Sequence, residues 1–216
     1  MESTAQGSEP SGGLTLTGLD GKVVVVTGAG RRRSIGRAIA VELARAGCDV
    51  VLTGTGRAPE RYPDDEKAVG WRDVDSVADE VRELGRRAFG RRLVAQGDGG
   101  SIVNISSIGG KMMAARTAAY AASKAGIHAL TSAMSQELGA AQVRVNAICP
   151  GIIDTFRMDD VPRGEAWDRL VERQIPLGRA GTGQDVAWMV AYLCSDQGSW
   201  ITGQFYTVDG GTVPGR

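Results

Sequence analysis

The chain has 216 residues, 42% of them hydrophobic, enough for one domain with a substantial core. Lys+Arg and Asp+Glu are both 25, so the balanced charge gives no electrostatic reason to expect nucleic acid or an anionic membrane as partner. The single histidine, His128, argues against a His-based metal site. The three widely spaced cysteines, Cys48, Cys149 and Cys194, read as reduced thiols that suit a cytoplasmic protein.

Residues 1–14 are rich in Ser, Gly and Glu and lack the basic start and apolar run of a signal peptide. They read as a disordered tail, which leaves 15–216 as a single domain. No stretch approaches the ~18 apolar residues of a membrane span. A run of valines, Val23 to Val26, stops at Thr27-Gly28-Ala29-Gly30 and reads as a buried parallel strand. Ile35, Ile39 and Leu43 follow at helical spacing, and the helix closes at Gly47. Asp49 to Thr53 is a second strand, so residues 22–53 form one βαβ unit of the usual ~30 residues. Residues 54–71 are polar, with Pro59 and Pro63, and read as a surface loop. Helices are predicted over 73–87, 120–138, 166–173 and 185–193, and strands over 101–105, 143–148 and 205–208. Strands alternating with helices predict an α/β fold with a Rossmann-like, doubly wound parallel sheet.

The loop Gly28-Ala29-Gly30-Arg31-Arg32-Arg33-Ser34-Ile35-Gly36 lies between a strand and a helix. There, backbone N–H groups at the helix start stabilise a pyrophosphate and glycines allow close approach. The alternative is a tight turn carrying a solvated basic run. The end of the second strand, Thr53 to Arg57, has no carboxylate for a ribose 2′-hydroxyl. Three loop arginines and Arg57 instead favour a 2′-phosphate, which points to NADP(H) rather than NAD(H). Further on, Tyr120 and Lys124 share one helix face. A lysine ammonium beside a phenol favours the phenolate, whose acid normally has a pKa of ~10, and makes Tyr120 a candidate acid/base. Ser107 ends the preceding strand, where parallel sheets place their sites.

Three sets of motifs resemble the short-chain dehydrogenase/reductase family. They are Ser107 with Tyr120 thirteen residues on and Lys124, the segment Pro150-Gly151-Ile152-Ile153-Asp154-Thr155, and Val208-Asp209-Gly210-Gly211. The closest flavour is the oxoacyl-reductase branch. The spacing favours Ser107 over Ser106. The resemblance implies hydride transfer between NADP(H) and a ketone or secondary alcohol, with Tyr120 passing the proton and Ser107 orienting the carbonyl. Lys124 would hold the nicotinamide ribose, and Ile152 and Thr155 the carboxamide. Pro150, Gly151, Thr27, Gly28, Gly30, Arg33, Ser34, Ile35, Gly36 and Arg57 complete the expected cofactor set. The glycine loop departs from the family by two added residues and by Ser34 in place of the middle glycine, as in related enoyl reductases.

A second departure is larger. The family has a third strand, a fourth strand ending in Asn-Asn-Ala-Gly and a long helix with a catalytic Asn between the helix ending near Arg87 and the serine strand. Here Ala88-Phe89-Gly90 runs straight into 91–97, which resembles the end of that long helix. At ~30 residues per βαβ unit, a sheet shortened by two strands implies roughly 60–80 lost residues. Two arrangements follow. The serine strand closes up beside the first, in strand order 2-1-3-4-5, and shifts Tyr120 by ~4.8 Å where sites need ~0.5 Å. Otherwise the gap stays open and leaves strand edges unpaired. The two functional readings are accordingly a working oxidoreductase and a dinucleotide-binding remnant without turnover. Loss of the long helix removes half of the family's usual dimer interface, weakening a homo-oligomer and uncovering Ile127, Leu130 and Met134. Residues 156–183 read as a lid over the substrate or as an ordinary helix pair. Trp200, Tyr206 and His128 are expected to be structural.

Overall fold

The computed structural model describes residues 16–53, 59–86, 88–89, 99–112, 114–159 and 161–214. The expected tail, Arg57 and the 91–97 segment lie outside the described residues. Four valines and a threonine build β1 (Val23–Thr27), which pairs in parallel with β2 (Asp49–Thr53) in register from Val23–Asp49 to Thr27–Thr53. β2 also pairs in parallel with β3 (Ala88–Phe89), a two-residue stub of the third strand that the sequence reading takes as lost. A second parallel sheet runs β4 (Gly100–Ile105), β5 (Val143–Pro150), β6 (Phe205–Val208). The α/β Rossmann-like class and the shortened sheet are as expected from the sequence.

No ladder joins β1 to β4 among the described residues, so the gap stays open and the collapsed order 2-1-3-4-5 is not adopted. Helices hold the two sheets together. α1 (Ile35–Arg45) packs along α6 (Gly183–Cys194), which in turn lies on β4 and β5. Ile39, Leu43, Val186, Val190 and Leu193 join Val26, Val50, Leu52 and Ile148 in one buried cluster. Burying such side chains stabilises by about 1.5–3 kcal/mol each, so apolar packing spans a break that hydrogen bonds do not. α3 (Val74–Glu83) buries Val77 and Val81 in the same layer.

The period-two pleat sends Val103 and Ile105 of β4 into this cluster and Asn104 the other way. Asn104 Nδ2 donates to Thr131 Oγ1 of α4 (Ala118–Leu138), 3.0 Å away. On this second face α4 packs on β5, and only Ala121, Thr131 and Ser135 of its 21 residues are buried. Of the three α4 residues expected to be uncovered, Leu130 is exposed while Ile127 and Met134 are half-buried; Val23 and Val25 of β1 are exposed as well. Residues 54–71 are not simply a surface loop: a 3-10 turn (Pro59–Arg61) and α2 (Asp64–Ala68) form there, and Glu66 is buried to 2% exposure. Trp200, expected to pack, is 99% exposed, because it lines the gap between the sheets rather than a core.

Candidate active site

Ser107 and Tyr120 meet at Gly109. A Cβ built on that glycine would stand 3.0 Å from Tyr120 Cε1 and 3.5 Å from Ser107 Oγ, so the ring edge and the hydroxyl flank one small space that only glycine leaves open. Ser107 Oγ accepts the Gly109 N–H at 3.0 Å, which fixes the hydroxyl at the carboxyl end of β4. Tyr120 sits in the first turn of α4 and is 40% exposed. Lys124, one turn on, lies with Nζ 5.8 Å from the Tyr120 ring centroid and donates to Ile105 O at 3.2 Å. Ser106, the neighbouring hydroxyl, is spent elsewhere. It is buried, donates to Lys124 O at 3.0 Å and lies 2.9 Å from His128 Nε2. His128 stacks on Phe205 and also contacts Cys149 Sγ at 3.2 Å. Burial, and secondarily Lys111, holds its imidazole below the ordinary range, so it is neutral and structural at pH 7. The three cysteines are free, and burial raises each thiol, that of Cys48 to about 11, so none is a ready nucleophile.

The glycine loop is built for close approach. Gly28 has φ +69°, which favours glycine, and a Cβ on Gly36 would come 2.7 Å from Gly28 O. Ser34 is the N-cap of α1, its Oγ accepting the Arg37 N–H at 3.1 Å and donating to Arg31 O at 2.9 Å. Ile35 and Gly36 open the helix, where N–H groups have no carbonyl a turn earlier. These residues fit a dinucleotide phosphate. Thr27 ends β1. Pro150 ends β5, and Gly151 lets Asp209 cross at a distance that a Cβ would reduce to 2.6 Å. Ile152 O accepts from Gly181 N at 2.9 Å, and Thr155 is buried beside Asp154.

The loop arginines depart from expectation. Arg33 donates to Asp159 at 2.7 Å and to Asp154 at 2.9 Å, latching the glycine loop to the Pro-Gly segment. Arg31 stacks over Phe156 at 3.8 Å and pairs with the buried Glu66 at 2.9 Å. Arg32 lies 4.0 Å from Asp65. Carboxylates that the sequence leaves in separate segments therefore face the three loop arginines, and no local signal in the sequence marks those pairings. A cavity of about 610 Å³ lies at the amino ends of β1, β4 and β5, at the opposite end of the strands from Ser107 and Tyr120. Among the described residues no group of three or more His, Cys, Asp or Glu is placed to hold a metal ion, and no helix is long and apolar enough to cross a membrane.

A Rossmann-like fold with a glycine loop and a Ser–Tyr–Lys set at the strand ends defines a nicotinamide-dependent oxidoreductase class. A family model described as enoyl-(acyl carrier protein) reductase matches residues 84–213. The 3-oxoacyl-[acyl-carrier-protein] reductase FabG of Pseudomonas aeruginosa is 32% identical over 246 positions, covering 89% of this chain and 98% of the relative. The human (3R)-3-hydroxyacyl-CoA dehydrogenase is 40% identical over 141 residues, 65% of this chain and 53% of that protein; against several such relatives the chain spans only about half their length. Among solved structures, a 7α-hydroxysteroid dehydrogenase complexed with NADH and 7-oxo glycochenodeoxycholic acid superimposes with a TM-score of 0.74 at 26% identity, covering 90% of this chain and 95% of that one. A structure from Agrobacterium tumefaciens with bound NADP, described as a 2-deoxy-D-gluconate 3-dehydrogenase, gives 0.72 at 25% identity, covering 90% and 97%. The chain belongs to the short-chain dehydrogenase/reductase family, whose members are NAD(P)-dependent oxidoreductases. Since 89% of 216 residues is about 192, roughly 54 of the 246 positions aligned with FabG have no counterpart here. That is somewhat less than the 60–80 expected, in keeping with the retained β3 stub.

Proposed function

We propose that this chain binds NAD(P)(H) on the glycine loop and interconverts a small ketone and its secondary alcohol. The observation that carries this reading is the meeting of Ser107 and Tyr120 around Gly109, with Lys124 one helical turn behind. A bound nicotinamide would supply or accept the hydride. The residues do the rest. Ser107 Oγ donates to the substrate oxygen and fixes its position; the Tyr120 hydroxyl passes a proton to that oxygen in reduction and withdraws it in oxidation. Lys124, anchored on Ile105 O, places positive charge behind the phenol. Gly28, Gly30, Ser34, Ile35 and Gly36 receive the phosphates, and Pro150, Gly151, Ile152 and Thr155 border the nicotinamide end. The NADP(H) preference expected from Arg31, Arg32, Arg33 and Arg57 loses support where Arg31 and Arg33 are tied to carboxylates and Arg32 lies near Asp65. The substrate is a small carbonyl compound or alcohol, and a homo-oligomer would have to form on a reduced interface.

The open edge between β1 and β4 and the absent catalytic Asn favour a second reading, dinucleotide binding without turnover. One experiment separates the two. The purified chain is titrated with NADH and NADPH by nicotinamide fluorescence, then given a panel of ketones and secondary alcohols. Binding with turnover that Tyr120→Phe abolishes supports the enzyme. Binding with no turnover on any substrate supports the remnant.

A further inference from the structure

Residues 66–73 return across the chain to touch the glycine loop. Trp71 Nε1 donates to Gly30 O at 2.7 Å, and Glu66 accepts the Arg32 N–H at 2.9 Å. Asp73 comes closest: its Oδ1 stands 1.2 Å from where a Cβ on Gly30 would be, so this loop glycine is required by the carboxylate itself. Ala29 N donates to Thr53 O at 3.1 Å, which puts the same point of the loop beside the end of β2. In a Rossmann domain that junction is where the adenosine ribose lies.

Asp73 is not explained by the fold. It is 6% exposed, and its Oδ2 is buried with no hydrogen-bond partner. It occupies the N-cap of α3, where an aspartate ordinarily accepts a helix N–H, yet its side chain caps nothing. Its φ of +54° lies in the left-handed region that a non-glycine residue enters only when its surroundings force it. A buried carboxylate is costly unless it gains donors. A ribose 2′,3′-diol offers two O–H donors. A 2′-phosphate offers negative charge instead, and Arg31, a suitable cation for it, is held by Glu66.

Resting on the dinucleotide reading above, we propose that Asp73 accepts the adenosine ribose hydroxyls and, with Glu66 occupying Arg31, selects NAD(H) over NADP(H). The carboxylate that the end of β2 lacks is delivered from the start of α3.

The test uses ADP-ribose and its 2′-phosphate, which carry the ribose without the nicotinamide, titrated calorimetrically into the full chain, into Asp73→Asn and into Glu66→Gln. The wild type is expected to bind ADP-ribose at least about tenfold more tightly than its 2′-phosphate, on the scale of a charge-assisted hydrogen bond. Asp73→Asn should shrink that ratio about tenfold, and Glu66→Gln, by freeing Arg31, should strengthen 2′-phosphate binding. Equal or tighter binding of the 2′-phosphate by the wild type overturns the assignment, as does an unchanged ratio in Asp73→Asn. If Asp73→Asn loses its cooperative melt, an unchanged ratio in Glu66→Gln overturns it. Binding of neither probe to a chain with a native melt overturns the dinucleotide reading and this assignment together, which separates the two failures.

Discussion

Adjacent serines at the end of one strand have opposite fates, and the pleat decides them. Ser106 points into the layer beneath α4, where Lys124 O and His128 use its hydroxyl, while Ser107 points to the open end beside Tyr120. Ser106→Ala is therefore expected to cost about 1 kcal/mol in a chemical melt, because it removes a buried hydroxyl that bonds Lys124 O and meets the half-buried His128 ring. Ser107→Ala should change stability by no more than about 0.5 kcal/mol and act on turnover. Tyr120→Phe follows the same logic: the residue is 40% exposed, so the melt is nearly unchanged while kcat falls about 10²–10⁴-fold. Equal losses of turnover in both serine variants with equal stabilities would contradict this division of roles. The thirteen-residue spacing to Tyr120 favours Ser107 over Ser106 in the sequence, and the structure sets Ser107 beside the Tyr120 ring at Gly109. Asp73 is invisible there, since an aspartate before an apolar helical run reads as an ordinary cap, and only the fold shows that it caps nothing.

At the scale of elements, the sequence located α1, α4, α6, β2 and β6 to within about two residues, because their apolar or Ala-rich runs are local signals. It missed α2, a five-residue helix of charged residues whose one buried side chain, Glu66, is held by arginines 34 and 35 positions away. Long-range ion pairs leave no periodic trace. The start of α6 shows what a local signal can do. Thr182 and Asp185 form a reciprocal capping box, and Arg179 donates to both Asp185 oxygens at 2.9 and 2.8 Å. Arg179, aided by the Thr182 bonds, holds the Asp185 carboxyl well below the usual carboxylate range. A depressed folded pKa adds stability above the unfolded value of about 3.9 and loses it as pH falls towards the folded one. Asp185→Asn is thus expected to melt lower than the wild type at pH 7, by roughly 1 kcal/mol for a weakened cap. The difference should narrow in urea melts run below about pH 4. A gap of constant size down to pH 2 would mean that the charge is not what matters. Because α6 bridges the two sheets, this cap bears on the whole fold. Gly36→Ala, forced against Gly28 O, should cost about 1–3 kcal/mol and weaken dinucleotide binding together with stability.

For the whole molecule the open question is how a sheet survives without its middle. Superposition on a complete family member covers 90% of this chain with a TM-score of 0.74, so both sheets are carried in a single alignment instead of closing on each other. Packing of α1 on α6 holds that spacing, and a cavity of about 610 Å³ remains at the amino end of the gap. In a parallel ladder each strand directs alternate backbone groups to its two sides. β2 and β5 use both sides, bonded to β1 and β3 and to β4 and β6 respectively. Among the described residues β1 and β4 use one side each, with no strand paired across the gap. Hydrogen exchange reads this directly. Amides along β2 and β5 are expected to be the slowest in the chain, whereas β1 and β4 should alternate, with protected residues separated by fast ones. Uniform protection along β1 and β4 would mean that the edges are paired, either by closure of the sheet or by a second molecule, and its dependence on protein concentration would tell those cases apart. The uncovered face gives the same argument a second outlet. Val23 and Val25 are 43% and 46% exposed beside the unpaired edge of β1, the combination that templates association. Val25→Lys, which places a charge on that face without disturbing the ladder to β2, should therefore lower the mass seen by light scattering at high concentration and leave the exchange pattern of β2 unchanged.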